Sequence, residues 1–257
     1  MSQPHISSQP HIFRTLTPYN MLRFACFLSV ILAVRSASAP FIKPCKDGDN
    51  ECTLASAQAA LPVVAAGIPE LGIKSLDPLH FNMIKGDQGA LQLTFRDTTV
   101  NGMKGCIIES LKSDFSKNKQ QMTIRCSVEL VGNYKLDGQL IIFPIKGEGK
   151  YNIKIRDIVI KAYTEVTTVT GSDGQPHLHI SSWRHTYQTK TGAHFDFNNL
   201  FNGNKVLAQP VDEFVNTSWQ EVMKEVAPPI VQAIVSKVVE AVEALYKAVP
   251  ASELYIQ

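Results

Sequence analysis

The chain has 257 residues, of which 44% are hydrophobic and 19% charged, with 25 basic against 23 acidic side chains and five cysteines. That length and apolar fraction suit one large domain with a real core, and no internal repeat or low-complexity stretch divides it. A formal charge of +2 offers no basic footprint for a nucleic acid or an anionic membrane surface.

Near the N-terminus, Arg23 precedes the apolar run Phe24 to Val34, and Ala37-Ser38-Ala39 forms a small-residue cleavage site before Pro40. This is the pattern of a secretory signal peptide, with residues 1–39 set apart from the fold. Translation starting at Met21 would put the apolar run at its usual distance from the start. The run is too short to span a membrane, and no other segment has the roughly 18 unbroken apolar residues that a span needs. Cleavage after Ala39 leaves a single domain, residues 40–257, and removes three arginines and no acid, so 22 basic side chains face 23 acidic ones. The expected location is extracellular. Cys26 leaves with the leader, and the remaining Cys45, Cys52, Cys106 and Cys126 are an even set, which points to disulfides in a secreted chain.

Cys45 and Cys52 flank the turn-rich Lys46-Asp47-Gly48-Asp49-Asn50 and are expected to pair. Leu54 to Ala66 reads as a short Ala-rich helix, interrupted near Pro62 and placed to lie over the mouth of a core. Gly67 to Leu79, with Pro69, Gly72 and Pro78, is an extended connection. From Phe81 to Val169 the apolar period becomes two: Leu91, Leu93 and Phe95 alternate, as do Ile124, Cys126, Val128 and Leu130. Cys106 and Cys126 fall in successive strands, where a cross-hairpin bond and two free buried thiols are both open. Gly132-Asn133 and Asp137-Gly138 punctuate the next pair of strands, and Leu140 to Ile145 reads as a further strand.

Tyr151, Ile153 and Ile155 alternate on one parity, while Ile158 and Ile160 follow on the other. This predicts a bulge near Arg156-Asp157 and a sharp bend of the sheet. Gly147 and Gly149 share one strand face, where missing side chains permit strong coiling or the approach of another backbone. Gly171-Ser172-Asp173-Gly174 is a hairpin turn. Phe195, Phe197, Leu200 and Phe201 lead to a break at Asn202-Gly203-Asn204. Val211 to Val249 then reads as one long helix of roughly 58 Å, kinked or divided by Pro228-Pro229. Its polar residues Gln232, Ser236, Glu240, Glu243 and Lys247 form one narrow stripe, and apolar residues cover the rest. Something else in the chain must wrap so apolar a helix.

Catalytic and metal signatures are missing: there is no G-x-S-x-G elbow, H-E-x-x-H or paired C-x-x-C. Gly147-x-Gly149 lacks the third glycine and following helix of a dinucleotide fingerprint. His177 and His179, with His185 or His194, have the residue type for a metal. Leu178 and Ile180 take the opposite face, which places the histidines toward solvent. No metal, cofactor or enzymatic activity is expected. Asn216-Thr217-Ser218 is a glycosylation sequon beside Trp219. The positive signal is an excess of apolar surface on a long helix and a bent sheet, as in a small-molecule pocket, with Tyr134, Tyr151, Trp183 and Trp219 as candidate polar tips.

Several stretches carry a resemblance: Cys45 to Cys52, Gly72 to Leu79, Gly132-Asn133-Tyr134 through Asp137-Gly138, Pro144 to Gly149, and above all Asn199-Leu200-Phe201-Asn202-Gly203-Asn204-Lys205. Together with the ending Val249-Pro250 and Glu253-Leu254, their order resembles the takeout and juvenile hormone binding protein family of insects, leaning toward takeout. The resemblance implies an α+β domain in which a long C-terminal helix is wrapped by a strongly curved antiparallel sheet. This is the half-module of the tubular lipid-binding (TULIP-like) superfamily, with an internal apolar tunnel. It also implies a secreted carrier of a terpenoid or other long-chain lipid, with links to feeding, circadian output and chemosensation and a receptor still to be identified. The family's N-terminal disulfide carries over to Cys45 and Cys52; Cys106 and Cys126 lie outside its pattern.

The residues expected to contact ligand are Trp219, Met223, Val226, Ile230 and Ile234 on the helix, with Phe95, Phe143, Tyr151, Trp183 and Phe197 from the sheet. The alternative function is a surface-mediated lipid or partner-binding role in defence or signalling, which requires a basic exposed patch. A secreted lipid hydrolase would require a nucleophile with a base beside it.

Overall fold

Period-two alternation through the middle of the chain produces one antiparallel sheet, and the apolar C-terminal helix lies against its inner face. A computed structural model describes residues 38–87 and 89–256. The expected signal run, Phe24 to Val34, lies outside the described residues. In chain order the elements are β1 (Cys45–Lys46), α1 (Asn50–Ala66), β2 (Leu79–Lys85), β3 (Leu91–Asn101), β4 (Ile107–Asp114), β5 (Lys119–Leu140), β6 (Phe143–Thr170), β7 (Pro176–Phe197), α2 (Lys205–Thr217), α3 (Trp219–Ala248), α4 (Ala251–Leu254) and β8 (Tyr255–Ile256). The large sheet runs β2-β3-β5-β6-β7, and β4 pairs with the first half of β5. A separate parallel pair joins β1 to β8.

Strands β5, β6 and β7 have 22, 28 and 22 residues, several times the common length, and must curl to stay in one domain. The curl is concentrated at the predicted bulge. Cys126 faces Ile158 and Val128 faces Ile155, so the single Ser127 of β5 opposes Arg156 and Asp157 of β6. The shift continues into β7, where Arg156 faces Gly192 and Ile158 faces Thr189. Asp157 sits at φ 52° and holds the irregularity from three sides. Its backbone N–H donates to Ser127 Oγ at 3.1 Å, and its carboxylate accepts from Arg125 at 3.3 Å and from Thr191 Oγ1.

Three readings of the chain are corrected. Gly132-Asn133 and Asp137-Gly138 do not separate strands: β5 runs through both, and the turn falls at Ile141-Ile142, where Leu140 pairs with Phe143 and Ile141 takes φ 59°. Helix α1 continues through Pro62, and α3 through Pro228 and Pro229. A proline removes the hydrogen bond to the carbonyl four residues earlier and crowds that carbonyl; for Pro228 and Pro229 these belong to Lys224 and Glu225, which are exposed, so the carbonyls can tilt outward and bond water. The long helix divides instead at Ser218, whose φ/ψ of −102° and 35° leave the helical region.

The glycine pair on β6 serves a close approach. A Cβ on Gly149 would lie 2.4 Å from the carbonyl oxygen of Asn198, and one on Gly147 would lie 2.7 Å from Tyr134 Oη. The Tyr134 hydroxyl donates to that same Asn198 carbonyl at 2.7 Å, fixing the chain where it leaves β7 for α2. Gly149→Ala is expected to destabilise the fold by about 1–3 kcal/mol through overpacking against this backbone, measured by urea denaturation.

Candidate functional site

The helix, the sheet and α1 enclose a cavity of about 300 Å³ whose wall is overwhelmingly apolar. Its geometry follows from residue spacing. On β5 every second residue faces it, from Gln120, Met122 and Ile124 to Cys126, Val128 and Leu130. On β6 the lining residues are Ile153 and Ile155, then Ile158, Ile160, Ala162 and Thr164. The parity change at Arg156-Asp157 keeps both sets on one face. From α3 come Met223, Val226, Ala227, Ile230, Val231, Ile234, Val235, Val238, Val239, Val242, Leu245 and Tyr246, at helical spacing. Along the helix axis this stretch covers about 35 Å.

Helix α1 closes another side with Ala57, Ala60, Leu61 and Val64. Its N-terminus is fixed by the disulfide Cys45–Cys52 and by Asp49, whose carboxylate accepts from the Cys52 N–H at 3.1 Å. The second pair, left open by the sequence, is also bonded: Cys106–Cys126, with Cα atoms 4.4 Å apart, ties the start of β4 to β5 at the cavity wall. The cavity reaches solvent near β1, since the lining residues Lys43, Lys46, Asp47 and Gly48 are exposed. Here the two ends of the described chain meet. Cys45 pairs with Tyr255 and Lys46 with Ile256, Asp47 N–H donates to Ile256 O at 3.0 Å, and the rings of Phe115 and Tyr255 lie 4.3 Å apart.

Of the residues expected to contact a ligand, Met223, Val226, Ile230 and Ile234 line the cavity. The others are placed elsewhere. Phe95 and Tyr151 are buried with ring centroids 4.7 Å apart, and Phe197 packs edge-on to Tyr134 at 4.9 Å, filling the interior with side chain. Tyr151 Oη donates to Thr98 Oγ1 at 2.8 Å, and burial pushes its hydroxyl up to about 12, so its polar tip is already engaged. Phe143 stacks on Phe214 of α2 at 4.6 Å. Trp219 packs against the core outside the cavity, and Trp183 borders an adjoining polar depression with Lys112, Glu165 and Arg184, which shares Ser113, Gln120 and Thr164 with the cavity wall. Sheet residues that the expectation missed include the period-two set Met122, Ile124, Ile158 and Ile160. Their alternation is the sequence signal that marks them.

The histidines are not gathered, and one is not solvent-facing. His177 is only 3% exposed, with Nδ1 3.1 Å from the Tyr246 carbonyl and Nε2 3.1 Å from both Asp173 oxygens. The hairpin after β6 folds back over the end of α3, which buries the ring. His179 Nδ1 lies 2.6 Å from Glu243 Oε1, and Glu243 Oε2 accepts from Ile180 N–H at 2.8 Å. These contacts dock β7 on the last turns of α3. At the sequon, Asn216 Nδ2 donates to the carbonyls of Phe195 and Asp212, both at 2.9 Å, while Oδ1 accepts from Phe195 N–H at 2.8 Å. The amide that a glycan would need is thus holding α2 to the end of β7.

Comparison with known proteins agrees with this architecture. The family profile described as Haemolymph juvenile hormone binding protein (JHBP) matches residues 24–256. The circadian clock-controlled protein daywake of Drosophila melanogaster is 29% identical over 227 residues, spanning 83% of this chain and 86% of the relative. Daywake of Drosophila yakuba is 28% identical over the same shares of both chains. The crystal structure of Takeout 1 from Epiphyas postvittana superposes with a TM-score of 0.81 at 28% identity, covering 84% of this chain and 100% of that one.

Two predictions follow from the polar anchors. Asn216→Ala leaves both backbone groups of Phe195 without their partner and is expected to cost about 1–3 kcal/mol, and the intact mass of the wild-type protein is expected to carry no glycan at this position. The Asp173 carboxyl is held below the ordinary 3.8, first by the Gln175 N–H and then by His177. A carboxylate depressed in the folded state stabilises fully above its unfolded value and loses that contribution as pH falls through its folded value. Thermal melts should therefore show an Asp173 contribution that is flat above about pH 5 and declines progressively as pH falls below about 4, and Asp173→Asn should remove that acid limb.

Proposed function

The chain belongs to the haemolymph juvenile hormone binding protein family, and we propose that it is a secreted carrier that holds a hydrophobic small molecule, a juvenile hormone-like terpenoid or another long-chain lipid, in its cavity. The observation that carries this reading is the continuous apolar lining, supplied at once by α1, β5, β6 and some 35 Å of α3. Burying an apolar chain gains roughly 25 cal/mol per Å² removed from water, so such a ligand binds tightly without many hydrogen bonds. Shape and cavity length then govern selection.

Two disulfides support an extracellular setting. Among the described residues no helix is long and apolar enough to cross a membrane, in keeping with a carrier that moves its cargo through an aqueous phase.

The test is native mass spectrometry of protein from its own tissue, before and after organic extraction. A discrete extractable mass of lipid size is the expected result; a protein that comes empty and takes up no terpenoid or long-chain lipid sinks the carrier reading. Ile230, buried on α3 and facing the cavity, gives the matching variant. Ile230→Trp should abolish lipid uptake while circular dichroism stays unchanged, and undiminished uptake would remove this wall from the binding site.

A further inference from the structure

The polar side chains of the cavity wall are not scattered. Thr53 Oγ1 donates to the Asp49 carbonyl at 2.8 Å, Ser56 Oγ to the Lys43 carbonyl at 2.9 Å, and Thr164 Oγ1 to the Gln120 carbonyl at 3.4 Å. Each of these hydroxyl protons is committed to the backbone. A different arrangement occupies the end near β1. Tyr246 Oη donates to Gln120 Oε1 at 3.1 Å, and Gln120 Nε2 donates to Ser113 Oγ at 3.0 Å. All three side chains line the cavity.

Strand register builds this cluster. Ser113 pairs with Gln120 and Gln120 with Thr164, so three neighbouring strands place a polar row straight across the sheet. Tyr246 meets it from the last turn of α3. Farther in, the same elements present Leu111, Met122, Ala162 and Val242, and the wall becomes apolar. The donor inventory is then decisive. The Gln120 amide has two N–H groups and uses one; the Ser113 hydroxyl accepts, and its own proton has no acceptor among the described residues. Two donors remain at one end of a long greasy cavity.

On the carrier reading given above, we propose that Ser113, Gln120 and Tyr246 form a head-group subsite that selects a long-chain lipid ending in a neutral hydrogen-bond acceptor, such as an ester or ketone carbonyl. The chain extends from there along α3 toward Met223. A free carboxylate is disfavoured, because the row contains no cation and Glu243 stands one turn before Tyr246. Lys112, Lys119 and Arg184 share an adjoining polar depression with Ser113, Gln120 and Thr164, but all three are exposed and none of them lines the cavity itself. Lys43 and Lys46 lie at the exposed rim. Burial raises the Tyr246 hydroxyl above its ordinary value, which keeps it a donor at neutral pH. A pure hydrocarbon makes no hydrogen bond with either spare donor.

The experiment compares methyl palmitate, palmitate and hexadecane by competition for bound N-phenyl-1-naphthylamine, on the wild type and on Ser113→Ala and Gln120→Met. One or two neutral hydrogen bonds correspond to a preference for the ester over the hydrocarbon of roughly five-fold to thirty-fold. Both variants should reduce that preference while leaving hexadecane affinity within about two-fold of wild type. Circular dichroism checks their folding, and if Gln120→Met does not fold, the wild-type order and Ser113→Ala decide. Hexadecane binding as tightly as the ester, palmitate binding most tightly, or a preference that survives in the folded variants overturns the subsite and leaves the carrier intact. Failure of all three compounds, and of a terpenoid ester run beside them, to bind sinks the carrier reading itself.

Discussion

A strand of 28 residues can wrap a helix only if it bends without turning its apolar side outward. Side chains alternate along a strand, so any bend made by inserting a residue exchanges the two faces unless the sequence changes parity at the same place. Here the two changes coincide. Ile153 and Ile155 precede the insertion, Ile158 and Ile160 follow it, and all four face the cavity. Asp157, in a left-handed conformation and bonded to Ser127, Arg125 and Thr191, holds the extra residue in place. Without that register, half of β6 would present charged residues such as Lys154 or Lys161 to the helix.

The curl explains the composition of α3. A helix packed on a flat sheet needs an apolar face of limited width, and its other side is free to be polar. This helix is enclosed by sheet and by α1 together, so only Gln232, Glu240 and Lys247 of its polar stripe are fully exposed, and Glu243 turns back to hold β7. The enclosure is also where packing stops being complete. Beyond the aromatic group of Phe95, Tyr134, Tyr151 and Phe197, which fills its share of the interior, the aliphatic residues of β5, β6 and α3 face one another across space. Aliphatic walls around a void lose contacts that a ligand chain restores, which is how incomplete packing becomes affinity.

Much of this was legible because it rests on periodicity. The parity change between Ile155 and Ile158, the glycine pair at Gly147 and Gly149, and the apolar face of the last helix are all local patterns with one physical meaning. The turn at Ile141-Ile142 was not legible, since nothing in two consecutive isoleucines announces a reversal; it is imposed by the pairing of Leu140 with Phe143 on either side. Gly132 and Gly138 misled for the converse reason. Both lie inside β5, and a Cβ at either would strike a backbone carbonyl at or beside the neighbouring strand β3, Arg96 O at 2.8 Å and Ala90 O at 2.1 Å. They mark backbone approach, not a turn. The division of the walls into aromatic core and aliphatic cavity was also hidden, because it depends on which layer of the sheet each residue occupies. His177 shows the same limit: alternation assigns a face, but the fold of the hairpin over α3 decides whether that face is wet.

The two ends of the cavity therefore differ in kind. One is closed by well-packed rings whose hydroxyls, on Tyr134 and Tyr151, are engaged within the protein. The other reaches solvent beside a parallel pair of two-residue strands, β1 and β8, and one aromatic contact between Phe115 and Tyr255. So small a ladder contributes little to opening resistance compared with the long strands, and it lies where exposed residues already join the lining. The polar row of Ser113, Gln120 and Thr164 stands just inside the weaker end. An amphiphile entering there tail first would be stopped by its own head, with the chain lying along the apolar length of α3.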